Sequence, residues 1–139
     1  MIVTNFTSAA LAPLFAAIAH VESDDGATSA NVYQITEVYV DDVNRIRALG
    51  DTAVWVSHPY DYEDVRDRGY AQAMMTAYWR HYAPRAAKRL GRPVDFEMLA
   101  RIHNGGPRAA EKKATEKYWR KVSAVLESSK QKQVKGETK

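Results

Sequence analysis

The sequence contains no cysteine, so disulfide bonds, thiol catalysis and cysteine metal sites are all excluded. It also lacks any run of about eighteen apolar residues, which excludes a transmembrane helix. The alanine-rich segment 9–19 is apolar enough to suggest a signal peptide, but no lysine or arginine precedes Arg45 to provide the basic region of such a peptide. We therefore expect this segment to belong to the fold, and export would need a route that the sequence does not show.

The composition is that of a single globular domain, because 45% of the 139 residues are apolar and 27% are charged. A net charge of +3 suits a partner that carries negative charge, such as nucleic acid, an anionic membrane surface or an acidic cell-wall polymer. We expect the domain to occupy residues 1–127. The last residues, 128–139, are polar, lysine-bearing and aperiodic, and they predict a disordered basic tail.

Apolar residues at helical spacing predict a mainly α fold of five to six helices, with at most a very short β-hairpin across 25–32. The irregular segment 51–61 should connect two of the helices. The first predicted helix has Pro13 in its first turn and ends near Glu22, and the second runs from Tyr33 to about Leu49. A third runs from about Tyr62 to Tyr82, where Pro84 stops it, and a short fourth follows from Arg85 to Leu90. The fifth is capped by Asp95 and ends at His103, and the sixth runs from about Ala110 to Leu126.

The strongest candidate for chemistry is Glu22, which an apolar helix delivers into a short polar loop. The apolar residues of that helix recur at helical spacing and are Leu14, Phe15, Ile18 and Val21. Partial burial in a core disfavours the charged form of a carboxyl group and so favours its use as a proton donor. The loop adds Asp24 and Asp25. These three carboxylates could equally be a solvated helix end with ordinary turn chemistry, so further signals are needed.

Two blocks of sequence supply such a signal: HVES at 20–23 with YQI at 33–35, and ARIHNGGP at 100–107 with KKATEKYWRKV at 112–122. Together they resemble the invertebrate-type lysozymes, also called the destabilase group, and their cysteine-free relatives in bacteria and phages. The resemblance extends from about Leu14 to Val125. The first block is a weak signal by itself, whereas the second is long and specific in order and spacing.

This resemblance implies a lysozyme-like fold and hydrolysis of the β-1,4 glycosidic bonds of peptidoglycan. The family's general acid falls on Glu22, and its second carboxylate falls on Asp25 or, counted one residue differently, on Asp24. The residues that face each other across the family's substrate cleft carry over to Tyr33 and Gln34 on one side and to His103, Asn104 and Gly105 on the other. Glycine in this loop would let the backbone approach a bulky ligand closely.

The resemblance also implies the partners and the place of action. We expect the chain to act as a monomer on glycan strands at the bacterial cell wall, whether periplasmic, extracellular or phage-delivered, with no cofactor, no metal and no insertion into a membrane. Nucleic-acid binding is disfavoured because the lysines of the last helix lie on a solvated face without interleaved aromatic residues.

One departure from the family leaves alternatives open. Only Ser23 and Asp24 separate Glu22 from Asp25, where the family has a longer insertion. The two carboxylates would therefore leave the same helix end, and Asp25 would not easily reach the opposite face of a bound sugar. The enzyme could work with Glu22 alone, or the chain could be a non-catalytic module that binds peptidoglycan.

Overall fold

The computed structural model describes residues 1–50 and 59–137, so most of the connection predicted at 51–61 lies outside the described residues. Five α-helices follow one another: α1 Ser8–Ser23, α2 Glu37–Ala48, α3 Arg68–Leu90, α4 Phe96–Gly105 and α5 Glu116–Glu137. Short 3-10 helices lie at Tyr62–Arg66, Ala109–Glu111 and Lys113–Thr115. The described residues form no strand, only one isolated bridge between Ile2 and Asp95. The mainly α class is confirmed.

Helix α1 begins earlier than the sequence pattern predicted. Thr7 is its N-cap and accepts a hydrogen bond from the backbone N–H of Ala10 at 3.1 Å. Pro13 therefore lies inside the helix, at an exposed position, rather than in its first turn. The helix ends where Asp24 adopts the left-handed conformation and its N–H bonds back to the carbonyl of His20.

Helix α2 begins at Glu37, so the predicted start at Tyr33 was wrong. Thr36 caps the helix by accepting from the N–H of Tyr39 at 3.2 Å. Just before this cap, the side-chain amide of Asn31 bonds both the N–H and the carbonyl of Ile35, at 3.0 and 2.8 Å. Asn31 thus offers the backbone of residues 33–35 an alternative to helical hydrogen bonds.

Helix α3 does not end at Pro84 but continues to Leu90, which corrects both the predicted stop and the separate short helix. A proline inside a helix costs about 3 kcal/mol through the lost hydrogen bond and the ring clash. The turns around Pro84 are nevertheless packed on the core, because Ala83 and Ala86 are fully buried. Their burial favours one continuous helix, which ends at Gly91 with a φ of 65°.

Helix α5 begins at Glu116 rather than Ala110, because the preceding residues form the two 3-10 helices. The buried hydroxyl of Thr115 donates to the carbonyl of Ala109 at 2.6 Å and holds these turns together. At its other end, α5 runs to Glu137, so most of the segment expected to be a disordered tail is helical. Residues 127–132 of this extension are exposed.

The core lies between α1, α3 and α4, with α5 packed across α1. Trp79 of α3 is fully buried; its ring stacks on Phe15 at a centroid distance of 5.6 Å, and its indole N–H donates to the carbonyl of Leu99 at 2.8 Å. A buried indole that finds a partner contributes apolar area without an unpaired donor. This packing brings the C-terminal ends of α1 and α4 together.

No helix within residues 1–50 and 59–137 combines the length and the apolar character that crossing a membrane requires.

Candidate functional site

Glu22 lies in the last turn of α1, and the residue that follows fixes its position. The buried hydroxyl of Ser23 donates to the carbonyl of Val32 at 2.7 Å and accepts from the N–H of Gly26 at 2.9 Å. These bonds fold the loop after α1 back onto the helix end. The side chain of Glu22 is 18% exposed, which agrees with the half-buried carboxyl expected from the sequence.

His103 ties the end of α4 to this loop. Its Nε2 lies 2.8 Å from the carbonyl oxygen of Tyr33, and its Nδ1 lies 3.2 Å from the hydroxyl of Tyr39. A carbonyl can only accept, so Nε2 donates its N–H to Tyr33, while Nδ1 shares a hydrogen bond with the hydroxyl of Tyr39. The same Nε2 lies 3.6 Å from Oε2 of Glu22. With a side chain only 1% exposed, His103 is placed to orient Glu22 and the loop rather than to touch a ligand.

Glu22 opens into a groove of about 690 Å³ between α2 and the end of α4. This volume is within the range of ligand sites, roughly 300–1,000 Å³. Five of the residues expected at the site line the groove: Glu22, Gln34, His103, Asn104 and Gly105. Gly106 and Pro107 complete that wall, and Thr36, Val38, Tyr39 and Tyr78 line the remainder with the α2 residues described below.

Gln34 enters the groove from a strained backbone. Its φ is 52°, and its side-chain amide donates to the carbonyl of Asn31 at 2.8 Å. Non-glycine residues at positive φ are uncommon and cluster at functional sites, where the surrounding structure fixes them. The exposed amides of Gln34 and Asn104 both line the groove and offer it neutral hydrogen-bonding groups.

Asp25 does not line this groove. Its carboxylate accepts from Nη1 of Arg68 at 2.8 Å, and Nη2 of Arg68 donates to its backbone carbonyl, also at 2.8 Å. The pair borders a separate cavity of about 200 Å³, which Tyr33 also lines while its hydroxyl accepts from Gln72 at 2.8 Å. The structure thus brings together Glu22, Gln34, His103, Asn104 and Gly105. It places Asp25 and the buried Tyr33 at the separate cavity.

Asp24 is exposed, and its carboxylate lies 3.8 Å from Nδ1 of His20 at the surface of α1. It does not line the groove either. Neither aspartate of the loop therefore faces the cavity that contains Glu22, which follows from the tight turn that Ser23 and the left-handed conformations of both aspartates impose.

The groove contains three charged residues of α2 that the sequence analysis did not single out: Asp41, Asp42 and Arg45. The signal that could have found them is the polar face of α2, but a polar helix face is usually solvated and does not point to a site by itself. Their inclusion depends on α2 packing on α3, where Tyr39 stacks on Tyr78 at 4.1 Å. Burial raises the pKa of Tyr39 well above its usual value, so its hydroxyl remains protonated beside His103.

Within the described residues there is no group of three or more histidine, aspartate or glutamate side chains placed to hold a metal ion.

Comparison with known proteins identifies lysozymes from invertebrates. Lysozyme 1 of Crassostrea virginica is 49% identical over 43 residues, and lysozymes of Magallana gigas and Meretrix lusoria are 46% and 41% identical over 43 and 46 residues. These matches cover 31–33% of this chain and 23%, 31% and 38% of the three relatives, respectively. No family model matches the chain, and no solved structure matches it significantly. The relationship to invertebrate-type lysozymes expected from the motifs is thus confirmed over part of the chain.

Proposed function

We propose that this chain is a lysozyme-like glycoside hydrolase that cleaves the β-1,4 bonds of bacterial peptidoglycan, with Glu22 as its general acid. The observation that carries the proposal is the placement of Glu22: a half-buried carboxyl group, oriented beside a buried histidine, opens into a groove large enough for a glycan. The partial matches to lysozymes support the same class of reaction.

In the proposed reaction, the carboxylic acid of Glu22 donates its proton to the oxygen of the scissile bond as its bond to the anomeric carbon breaks. A water molecule forms the new bond to that carbon and loses a proton, which completes the hydrolysis. A general acid needs a carboxyl group that is held in place within reach of the leaving oxygen. The covered ring of His103, 3.6 Å from Oε2, restricts the rotamers of Glu22 on one side. The side chain lines the groove and is 18% exposed, so a bound glycan could reach its carboxyl group.

The residues that line the walls of the groove would bind the glycan. The exposed amides of Gln34 and Asn104 can donate to and accept from sugar hydroxyl and N-acetyl groups. Gly106, whose φ is 99°, has open space where a Cβ would lie, so the backbone of this wall can contact a sugar ring directly. Tyr33 contributes through its backbone, since its carbonyl holds His103.

The second carboxylate of the reaction, which the resemblance to lysozymes assigned to Asp25 or Asp24, does not lie in the groove. Asp25 is held by Arg68 outside the groove. Glu22 would then act either alone or with Asp41 of α2, which lines the groove and is exposed. In both cases Asp25 lies outside the groove and does not act as a nucleophile toward the sugar. We propose that no covalent glycosyl-enzyme forms on Asp25.

Replacement of Glu22 by Gln tests the catalytic assignment. The amide keeps the size of the side chain but cannot donate the proton, so clearing of a peptidoglycan suspension should fall by at least about 100-fold with the helical circular dichroism unchanged. Glu127→Gln is the matched control, because Glu127 is exposed on α5 and lies outside the groove. Retention of most of the activity by Glu22→Gln would reject Glu22 as the acid.

A second candidate is a module that binds peptidoglycan without cleaving it, and the location of Asp25 is the observation that favours it. Cosedimentation with purified walls, without release of soluble fragments, would distinguish this function from hydrolysis. In either case we propose that the chain works as a monomer at the cell wall.

A further inference from the structure

The groove continues beyond Glu22 to a hydrogen-bonded group formed by Asp42 and Arg45 of α2 and Tyr82 of α3. Oδ2 of Asp42 accepts from the hydroxyl of Tyr82 at 2.6 Å. Nε and Nη2 of Arg45 donate to Oδ1 of Asp42 at 3.0 and 2.7 Å, and Nη2 also donates to the Tyr82 hydroxyl at 2.9 Å. Each of the three side chains contacts the other two, so the guanidinium plane is held in one orientation.

The remaining edge of that guanidinium is available to a ligand. Arg45 lines the groove, and its side chain is 56% exposed, whereas that of Asp42 is only 22% exposed. Across residues 1–50 and 59–137, Nη1 of Arg45 has no hydrogen-bond partner. A guanidinium group that is already oriented loses less rotamer freedom when it binds than a free arginine does.

The charges around Arg45 select the kind of group it can bind. Asp42 is paired with Arg45, and the carboxylate of Asp41, unpaired within the described residues, lines the same groove, as does Glu22. Carboxylates thus outnumber the one guanidinium among the lining residues. An anionic ligand group would be repelled by Asp41, whose carboxylate is exposed. A neutral acceptor does not meet this repulsion. The carbonyl oxygen of an amide is the strongest neutral acceptor that a hexosamine glycan carries.

We propose that Arg45 is a specificity-determining residue, which donates from Nη1 to the acetamido carbonyl of an N-acetylated sugar bound in the groove. The identity of the ligand rests on the proposed function, since the groove is taken to bind a glycan. Tyr82 is then a positioning residue, because it contacts Arg45 and Asp42 but does not itself line the groove.

The test measures binding apart from hydrolysis, in the Glu22→Gln background. The dissociation constants of tetra-N-acetylchitotetraose and of cellotetraose are determined by NMR titration; the second sugar has a hydroxyl group where the first has an acetamido group. The Glu22→Gln variant should bind tetra-N-acetylchitotetraose more tightly than it binds cellotetraose. Arg45→Met should weaken that binding by about 10- to 100-fold, the usual effect of losing a charge-assisted hydrogen bond, and should change cellotetraose binding by less than about two-fold.

Two further variants serve as controls. Arg66→Met removes an exposed arginine that is paired with Glu63 outside the groove, and it should leave both constants unchanged. Tyr82→Phe keeps the ring but removes the hydroxyl that supports Arg45, and it should weaken only the acetylated sugar, by less than Arg45→Met does. Melting curves of all variants verify that they are folded.

An equal loss for both sugars, or an unchanged preference in Arg45→Met, would overturn the proposal. So would a loss confined to a glycan that contains N-acetylmuramic acid, because that result would assign Arg45 to a carboxylate. Hydrolysis by the unsubstituted chain is measured separately. Arg45-dependent binding without cleavage would reject the proposed hydrolase while supporting this specificity, and cleavage with no effect of Arg45 on preference would do the reverse.

Discussion

Asp25 and Asp41 differ in the groups that hold their carboxylates. Asp25 is in an exposed ion pair with Arg68, which also holds its backbone carbonyl. Asp41 lies in the wall of the groove and, in the part of the chain that the structure describes, makes no ion pair or side-chain hydrogen bond. The carboxylate that is nearer to Glu22 in sequence is thus the one that lies outside its cavity.

We therefore expect Asp41→Asn to reduce the rate of wall hydrolysis by about 10-fold or more, because a groove carboxylate can orient water or stabilise positive charge on the sugar. Asp25→Asn and Asp24→Asn should each remain within about two-fold of the unsubstituted chain. Breaking an exposed ion pair costs at most about 1 kcal/mol of stability, so all three variants should fold. Initial rates of clearing compare them. A larger loss for Asp25→Asn than for Asp41→Asn would restore Asp25 as the second carboxylate.

The half-buried position of Glu22 was predictable because its signal, the apolar helix that precedes it, is local. Its proposed role depended on the resemblance to lysozymes. The role of Asp25 was not predictable in the same way, since its partner Arg68 is 43 residues further along the chain. The orientation of His103 likewise depends on Tyr33 and Tyr39, which are 70 and 64 residues away.

At the scale of elements, the end of α4 fits closely against the turns that follow it. A Cβ added to Gly105 would lie 2.7 Å from Cγ2 of Thr115 and 2.9 Å from the Cβ of Ala109. Both neighbours are buried, and the hydroxyl of Thr115 is fixed by Arg101 at 2.9 Å. Gly105 was expected to let the backbone approach a ligand, but its clearer role is to let α4 approach this segment.

Gly105→Ala should accordingly lower the free energy of unfolding by about 1–3 kcal/mol, the usual cost of overpacking. Chemical denaturation monitored by circular dichroism measures the change. Asn104→Ala is the matched control, because Asn104 is exposed in the same turn and alanine favours helix. If Gly105→Ala were as stable as Asn104→Ala, then the contact between α4 and Thr115 would be looser than the structure shows.

A helix cap could be predicted from the sequence, whereas the length of α3 could not. Asp95 caps α4 as predicted, accepting from the N–H of Met98 at 2.9 Å, because a cap depends on only three or four residues. The extension of α3 through Pro84 depends instead on the burial of Ala83 and Ala86 among other helices. Tertiary packing overrode the local preference, and no pattern within the helix itself records that packing.

At the scale of the whole molecule, buried tyrosines connect the helices around the groove. The ring of Tyr78 lies between two other tyrosine rings: it stacks on Tyr39 at a centroid distance of 4.1 Å and is edge-on to Tyr82 at 4.9 Å. Tyr118 of α5 is also buried, and its hydroxyl has no hydrogen-bond partner within the described residues. Burial is the largest cause that raises the pKa of Tyr39, Tyr78 and Tyr118 above the usual value of about 10.

These raised pKa values predict that the fold is lost in alkali. In the unfolded chain the three tyrosines lose their protons near pH 10, whereas in the folded chain they retain them to higher pH. Their contribution to stability is therefore fully present below about pH 10 and is lost as the pH rises through the folded pKa values. Tyrosinate absorbance at 295 nm should show a phase that coincides with the loss of helical circular dichroism.

Tyr78→Phe provides the comparison, because it keeps the aromatic stack but removes one of the titrating hydroxyls. We expect its alkaline transition to move to higher pH, and its 295 nm change to be smaller by about one tyrosine. Complete tyrosine titration while the helices remain intact would show that these hydroxyls are accessible in the folded state and that the prediction is wrong.

The hydrogen bonds of His103 also give the molecule an internal spectroscopic reporter. Because Nε2 donates to the Tyr33 carbonyl and the ring is covered, its ring proton should exchange slowly with water and appear as a separate downfield signal in proton NMR. That proton lies between the loop that follows α1 and the end of α4, which forms one wall of the groove. A shift of its resonance on addition of saccharide would report a ligand in the groove without any chemical label.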